Sequence, residues 1–269
     1  WLTKLYQQGL SQNTIHTTYA RLKKVYNFFY NNGELLKDPF KGVKMPKKGE
    51  PKVTHLTKEQ MDDVRSAVYD NYDPKDPMYV GILLAFLAGL RCGEICGLRW
   101  NDIDFYRHTL TVRSAVSVSN GKDGDYTKNP KNKTSNRTLP LMPELEDALL
   151  KRKALIVPLD SWYVIGEQEQ FMRPQQYNRL FSEFVDRNNL VDAYGKKIVP
   201  HGLRHNFAAV GIQSGMDITS LALMMGHASR AMTLDTYGDA NADAPALASV
   251  KLKDTFNDNT DYFKFIIFP

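Results

Sequence analysis

Four short segments carry the side chains able to do chemistry: GLRCGEICGLRW (89–100), PKNKTSNRTLPL (130–141), PHGLRHNFA (200–208) and LMMGHASRAMTLDTYGD (223–239). Between them they supply fixed cations (Arg91, Lys131, Arg204), imidazoles (His201, His205, His227), thiols (Cys92, Cys96) and a phenol (Tyr237). Taken singly, each has a plain alternative. Arg91 can pair with Glu94, and Asp102 can cap the turn after Trp100. His201 and His205 have the i, i+4 spacing of a zinc helix. Gly202, however, stands where a zinc protease carries its general-base Glu, and no third ligand is spaced to follow. Two cysteines cannot complete a four-ligand site and read as packed thiols, so no metal site is expected. His227 after Gly226 fits a histidine meeting a helix C-terminus, and His205 fits a structural role behind Arg204. Tyr237 could be a core aromatic, although Thr233, Asp235, Thr236, Gly238 and Asp239 make a polar surround for one.

These segments need elements to hold them. Leu56 and Thr57 begin a domain: Thr57 with Gln60 makes a capping box, and Leu56 with Met61 a hydrophobic staple. A buried helix is expected over 77–89, halted by Gly89, which delivers Arg91. Strands are expected near 102–106 and over 109–118, where Leu110, Val112, Val116 and Val118 alternate. The polar stretch 119–135 reads as a long hairpin tip that returns through RTLPL. Helical patterns then follow over 143–153, 174–189, 201–214, 217–225 and 231–237. The expected class is mainly α with a small antiparallel β-sheet, α+β.

Upstream, Ser11 is a good N-cap for a helix with Ile15, Tyr19, Leu22, Val25, Tyr26 and Phe29 on its apolar stripe and Gly33 at its end. Arg21 and Lys24 share another face. Residues 39–53 hold three Pro, two Gly and five Lys (41, 44, 47, 48 and 52) and read as a basic linker. Fully extended, it could reach on the order of 50 Å, enough to set two domains on opposite faces of a duplex.

Taken together and in order, the chemical segments resemble the catalytic domain of the tyrosine recombinases, the phage integrase family. The family pattern is an Arg after Gly-Leu, a hairpin Lys, a His-x-x-Arg, a later Gly-His and a Tyr about ten residues on. The corresponding residues are Arg91, Lys131, His201 with Arg204, His227 and Tyr237. LSQNTIHTTYARLKKVYNFFY…DPFKGVK is similar to the end of the family's helical core-binding domain. Within the family the chain looks most like the integrases of conjugative transposons. The division implied is a DNA-clamp remnant over 1–38, a linker over 39–53, a catalytic domain over 54–240 and a tail over 241–269. Where the family normally has Lys-Thr, this chain has Lys131-Asn132. Lys128 and Lys133 lie in the same loop, so the choice between Lys131 and Lys133 stays open.

The physics of the implied reaction agrees with these residue types. Phosphodiester transfer passes through a pentacoordinate phosphorus whose non-bridging oxygens carry charge, so fixed cationic donors matter most. Arg91 and Arg204 offer planar forks to such oxygens, and His201, three residues before Arg204, shares its helix face. A tyrosine phenol has a pKa near 10, so attack by Tyr237 requires proton removal. The resemblance makes His201 the base, His227 a phosphate donor and Lys131 the general acid for the departing 5′ hydroxyl. A covalent 3′-phosphotyrosyl link would preserve the phosphodiester energy. No cofactor is therefore expected, in keeping with a sequence that has neither P-loop nor GxGxxG.

Composition frames this reading. The chain has 269 residues, 42% of them hydrophobic and 24% charged. Its longest uncharged apolar run, Met78–Leu90, is 13 residues, too short to span a bilayer. Two cysteines point to a reducing, cytosolic setting; the resemblance implies a bacterial cytoplasm with association to the nucleoid. The start at Trp1 reads as a trimmed end; an arm-binding domain before it is implied by the resemblance alone. Net charge is +5, but residues 1–52 carry ten Lys and Arg against three Asp and Glu, a local +7. That excess fits a polyanion-facing piece and, equally, a solvated basic helix and linker. Residues 106–137 carry seven Lys and Arg against two Asp. Lys122, Lys128 and Lys133 are accordingly expected to grip DNA backbone.

The terminal YFKFIIF is β-prone and apolar, and needs a partner edge. It either completes the sheet of its own subunit or, as the resemblance implies, docks on a neighbour. The expected partners are double-stranded recombination sites, three further copies at a tetrameric synapse, and accessory DNA-bending or directionality factors; no membrane is expected. The expected function is site-specific recombination for excision and integration of a mobile element. The alternatives are a type IB-like topoisomerase and a non-catalytic DNA-binding relative.

Overall fold

The computed structural model describes residues 1–47, 56–117, 126–128 (backbone alone) and 136–227. Backbone packing divides the chain into two compact units, Trp1–Lys52 and Val53–Pro269.

In the first unit a short helix, α1 (Leu2–Gln7), precedes α2 (Gln12–Asn31). The Ser11 side chain caps α2 by accepting from the Thr14 amide at 3.1 Å. Only Ile15 and Tyr19 of the apolar stripe are buried; Val25, Tyr26 and Phe29 stay exposed. The first residues of the basic stretch after α2 fold back on that helix. Phe40 packs edge-on against Tyr19 and Tyr26, with ring centres 5.2 and 5.5 Å away. The Tyr19 hydroxyl donates to the Val43 carbonyl at 3.1 Å. Aromatic burial on α2 outweighs the tendency of a Lys/Pro/Gly-rich segment to stay extended. Helix α1 went unread because its six residues carry no buried side chain.

The second unit opens on α3 (Lys58–Asp70), with the Thr57–Gln60 capping box present in both directions. Its entry is fixed by the Leu56 amide donating to Oδ1 of buried Asn206 at 3.3 Å. At the centre lies α4 (Pro77–Leu87), capped by Asp76 and buried from Met78 to Phe86. Each fully buried aliphatic there contributes about 1.5–3 kcal/mol. Around it pack α5 (Cys92–Gly97), α6 (Pro143–Ile156), α7 (Pro174–Arg187) and α8 (Pro200–Gln213), and α9 (Ile218–Met225) packs on α8. A helix hydrophobic all round belongs inside such a shell.

After α5, a 3-10 turn (Trp100–Asp102) is closed by Asp102 accepting from the Arg99 amide at 2.9 Å. The strands are β1 (Ile103–Asp104), β2 (Thr109–Val112), β3 (Ala115–Ser117), β4 (Tyr126–Lys128) and β5 (Arg137–Pro140). β1, β2 and β5 form one antiparallel sheet with β2 central, Leu110 facing Leu139 and Val112 facing Arg137. β3 and β4 form a separate antiparallel pair. The single strand expected over 109–118 is thus two. Arg113 and Ser114 break it, with the Ser114 hydroxyl donating to the Gly97 carbonyl at 2.9 Å. Val112 and Val116 keep the same parity across the break, so side-chain alternation gives no sign of it.

Candidate active site

The site is organised by a carboxylate. Glu94, at the third position of α5, accepts the Arg91 amide on Oε2 at 2.8 Å and the Arg91 guanidinium on Oε1 at 2.9 Å. This two-point pairing, Arg91 donating both times, fixes Arg91 at the mouth of a six-residue helix too short to hold it by propensity. The pairing with Arg91 expected from the sequence is only part of what Glu94 does. Arg137 meets it with both Nη atoms, at 3.0 and 2.8 Å, and Arg204 approaches Oε2 at 3.8 Å. Three guanidiniums converge on one buried carboxylate, and those four side chains together carry two positive charges. Despite burial, this pulls the Glu94 carboxyl down to about 2, with Arg137 the strongest lowering influence, then Arg204 and the Arg91 amide.

Two helix ends complete the arrangement. Helix α9 stops at Gly226, which has φ +61°; the Gly226 amide donates to Leu223 O and the His227 amide to Ala222 O, each at 3.0 Å. This is a Schellman turn, and it explains the Gly-His pair physically. A side chain at 226 would be strained, and its Cβ would lie 2.7 Å from Nη1 of Arg137. The Gly226 carbonyl accepts Nη2 of Arg91 at 3.1 Å, so the turn presenting His227 also holds Arg91. Helix α4 ends comparably at Gly89, φ +61°, whose carbonyl accepts Nη1 of Arg204 at 2.6 Å. Nη2 of Arg204 donates to the Met225 carbonyl. The Arg204 side chain is 1% exposed, whereas that of Arg91 is 39% exposed.

His201 lies in the first turn of α8, behind Pro200, and is exposed. With Arg91, Cys92, Lys197 and Pro200 it lines a cavity of about 510 Å³. Its ring meets His205 edge-on with centres 4.3 Å apart. Desolvation and the charges of Arg204 and Arg91 hold His201 below the ordinary imidazole range. Desolvation, then His201 and Arg204, lowers His205 to about 4. Desolvation, then Arg204, Arg91, Arg137 and His205, lowers His227 to about 4. All three imidazoles are therefore neutral at pH 7, which suits a proton acceptor and a neutral hydrogen-bond donor beside an anion. Cys92 is half-buried, with its thiol against the Pro174 carbonyl at 3.6 Å, and Cys96 is fully buried. Among the described residues no three His, Cys, Asp or Glu side chains gather as a metal site.

The structure therefore brings Arg91, His201, Arg204 and His227 together. Lys131, Tyr237, Lys48, Lys122 and Lys133 lie outside the described residues, as does the tail; Lys128 ends β4, described by its backbone alone. Arg21, Lys24, Lys41, Lys44 and Lys47 are exposed in the first unit. Sequence reasoning missed Arg137, taking RTLPL only as a returning strand. A signal was present: strand alternation puts Arg137 on the inward face with Leu139, and a cation there must have a partner. It missed Arg152 too, a buried scaffold residue donating to the carbonyls of Pro74, Lys75 and Val164.

Comparison with known proteins gives this geometry a lineage. The chain is 30% identical to tyrosine recombinase XerA of Pyrococcus horikoshii, over 87% of this chain and 72% of that protein. It is 29% identical to the transposase from transposon Tn916 of Enterococcus faecalis, over 93% of this chain and 64% of that protein. It is 27% identical to the XerC-like tyrosine recombinase of Caldanaerobacter subterraneus, over 88% of this chain and 65% of that protein. The chain thus spans under two thirds of the length of these last two relatives. The fold is that of the Tn1549 transposon integrase solved with transposon right end DNA: TM-score 0.73, 24% identity, 94% of this chain and 83% of that one. The lambda integrase bound to a core site shares it at TM-score 0.60, with 16% identity over 90% of this chain and 62% of that one. The model of the phage integrase family matches residues 52–243, most of the second unit and the whole cluster around Glu94. The chain belongs to the phage integrase family, the tyrosine recombinases.

Proposed function

We propose that this chain cuts and rejoins DNA at specific sites, for excision and integration of a mobile element. The observation that carries the proposal is the gathering of Arg91 and Arg204 on Glu94, with His201 and His227 both within range of the two arginine charges, in the order of the family's catalytic set. Arg91, with an open edge, grips a non-bridging oxygen of the scissile phosphate, and Arg204 adds its charge from behind. His201 takes the phenol proton of Tyr237 as the phenolate oxygen bonds to phosphorus. The bond from phosphorus to the 5′ oxygen breaks, and Lys131 supplies the proton that oxygen takes up. His227 donates to the same phosphate. A second 5′ hydroxyl then reverses the step and frees Tyr237. This exchange conserves the number of phosphodiester bonds, so it needs neither nucleotide nor metal.

Further parts of the reading rest on charge and composition. Arg21, Lys24, Lys41, Lys44, Lys47 and Lys48 clasp duplex backbone from the first unit. Lys122, Lys128 and Lys133 grip it beside the cut. Four protomers assemble at synapsis, with accessory DNA-bending or directionality factors setting the outcome, in a bacterial cytoplasm at the nucleoid. The tail docks on a neighbouring protomer. Support for that comes from an apolar groove of about 540 Å³ bordered by Met61, Phe86, Leu139, Phe207, Val210 and Met224.

The test is a pool of nicked duplexes with randomised centres, incubated with the chain and screened for adducts that survive SDS. An adduct lost in Tyr237→Phe supports strand cleavage, and joined products from paired duplexes support recombination over topoisomerase action. No adduct from any duplex would leave only a DNA-binding relative.

A further inference from the structure

Arg137 has no part in the reaction outlined above, yet it touches the site's framework at two places. It stands at the first position of β5 and is 8% exposed. Both its Nη atoms bond the two Glu94 oxygens in a fork-to-fork pair, and Nε donates to the Met224 carbonyl at 2.7 Å. That carbonyl is among the last of α9, which lack partners inside the helix. The guanidinium also lies so close beneath Gly226 that a Cβ there would meet Cζ at 3.0 Å. One side chain thus braces the carboxylate that holds Arg91 and the turn that presents His227.

The carboxylate explains why this matters for rate as well as for folding. Each Glu94 oxygen accepts one bond from Arg91 and one from Arg137. With the Arg137 pair removed, Glu94 keeps its two bonds from Arg91 alone against the pull of the Arg204 charge, 3.8 Å away. Arg91, tied to Glu94 by Nη1 and to Gly226 by Nη2, would follow both supports. We infer that Arg137 is a positioning residue for strand cleavage, fixing Arg91 and His227 on one phosphate through Glu94 and the α9 turn. The inference rests on the strand-cleavage reading.

The experiment uses the full chain and a nicked duplex enriched from the pool. Single-turnover cleavage at saturating DNA, duplex affinity and thermal midpoint are measured for wild type, Arg137→Lys, Arg137→Met and Arg91→Lys, and for Arg91→Lys combined with each Arg137 variant. Arg137→Met should bind DNA within about threefold of wild type but cleave about 100-fold more slowly, the scale of a misplaced catalytic group. Arg137→Lys keeps the charge and loses the fork, so it should fold and still cleave about tenfold more slowly. Arg91→Lys should cost much less in either Arg137 variant than in wild type, because the two residues act as a unit. Unchanged cleavage by Arg137→Lys, a loss confined to affinity, or full additivity with Arg91→Lys overturns the inference while wild-type adducts keep the strand-cleavage reading intact. If Arg137→Met does not fold, the Arg137→Lys series decides alone. Failure of wild type to form an adduct with any duplex overturns the reading, and the inference with it.

Discussion

Arg91 and Arg204 are built alike and placed differently. Each approaches Glu94, and each donates to the carbonyl of a glycine with positive φ that closes a helix, Gly226 for one and Gly89 for the other. Arg91 keeps 39% of its side chain exposed, and Arg204 keeps 1%. Two arginines of one catalytic set therefore divide the work. In the proposed reaction Arg91, the exposed one, meets the phosphate, while Arg204 is a buried pillar whose hydrogen bonds tie together the ends of α4 and α9. A residue's place in a motif does not reveal which of these it is. The backbone carbonyls around it do.

The largest effect should come from removing what the two arginines share. Glu94→Ala leaves buried guanidiniums without their carboxylate and should cost about 3–5 kcal/mol, read by chemical denaturation. A loss below about 1 kcal/mol would mean that the carboxylate does not hold the cluster together. Substituting the arginines themselves should separate them. Arg204→Met strands the Gly89 and Met225 carbonyls, at about 1–3 kcal/mol each. Arg91→Met should change stability by about 1 kcal/mol or less, yet slow adduct formation by about 100- to 1000-fold. Equal stability losses for the two variants would erase the distinction.

A smaller effect tests the electrostatics around both. The folded-state values of His205 and His227, about 4 each, lie below the ordinary 6.5, so between pH 6.5 and 4 the unfolded chain binds more protons. Stability should therefore be full above pH 6.5 and fall as pH drops toward 4. Glu94, held at about 2 against an ordinary 4.5, adds to that fall only below about pH 5.5, where the unfolded carboxyl begins to take up protons. His205→Gln should flatten the profile of denaturation midpoint against pH; an unchanged slope would remove His205 from the balance. The smallest effect concerns the first unit. Lys24→Glu should lower the slope of log affinity against log salt by about 1, leaving cleavage at saturating DNA intact.

Much of this was legible in the sequence, for local reasons. The Ser11 and Thr57 caps, the buried run of α4 and the helical faces of α7 and α8 depend on neighbours within one or two turns. Arg91, His201, Arg204 and His227 were legible through the order of their motifs. Their division of labour was not, since it depends on carbonyls supplied by segments far apart in the chain: Gly89 to Arg204, and Gly226 to Arg91. The break at Arg113 and Ser114 was hidden by conserved parity, and docking of Phe40 on α2 was masked by its lysine-rich surroundings. Arg137 was visible as an inward-facing cation in a strand and was passed over because its partner lies 43 residues away.

The fork between Arg137 and Glu94 also bears on engineering. Altering how such an enzyme grips its DNA invites grafting a hairpin from one relative onto another. In this chain the graft boundary decides the outcome, since a donor hairpin ending beyond residue 137 brings its own occupant against a fixed Glu94. Exchanges cut just before Arg137, or made with both residues moved as a matched pair, should preserve the pocket. Cuts that separate the pair should yield chimeras that hold DNA and leave it whole.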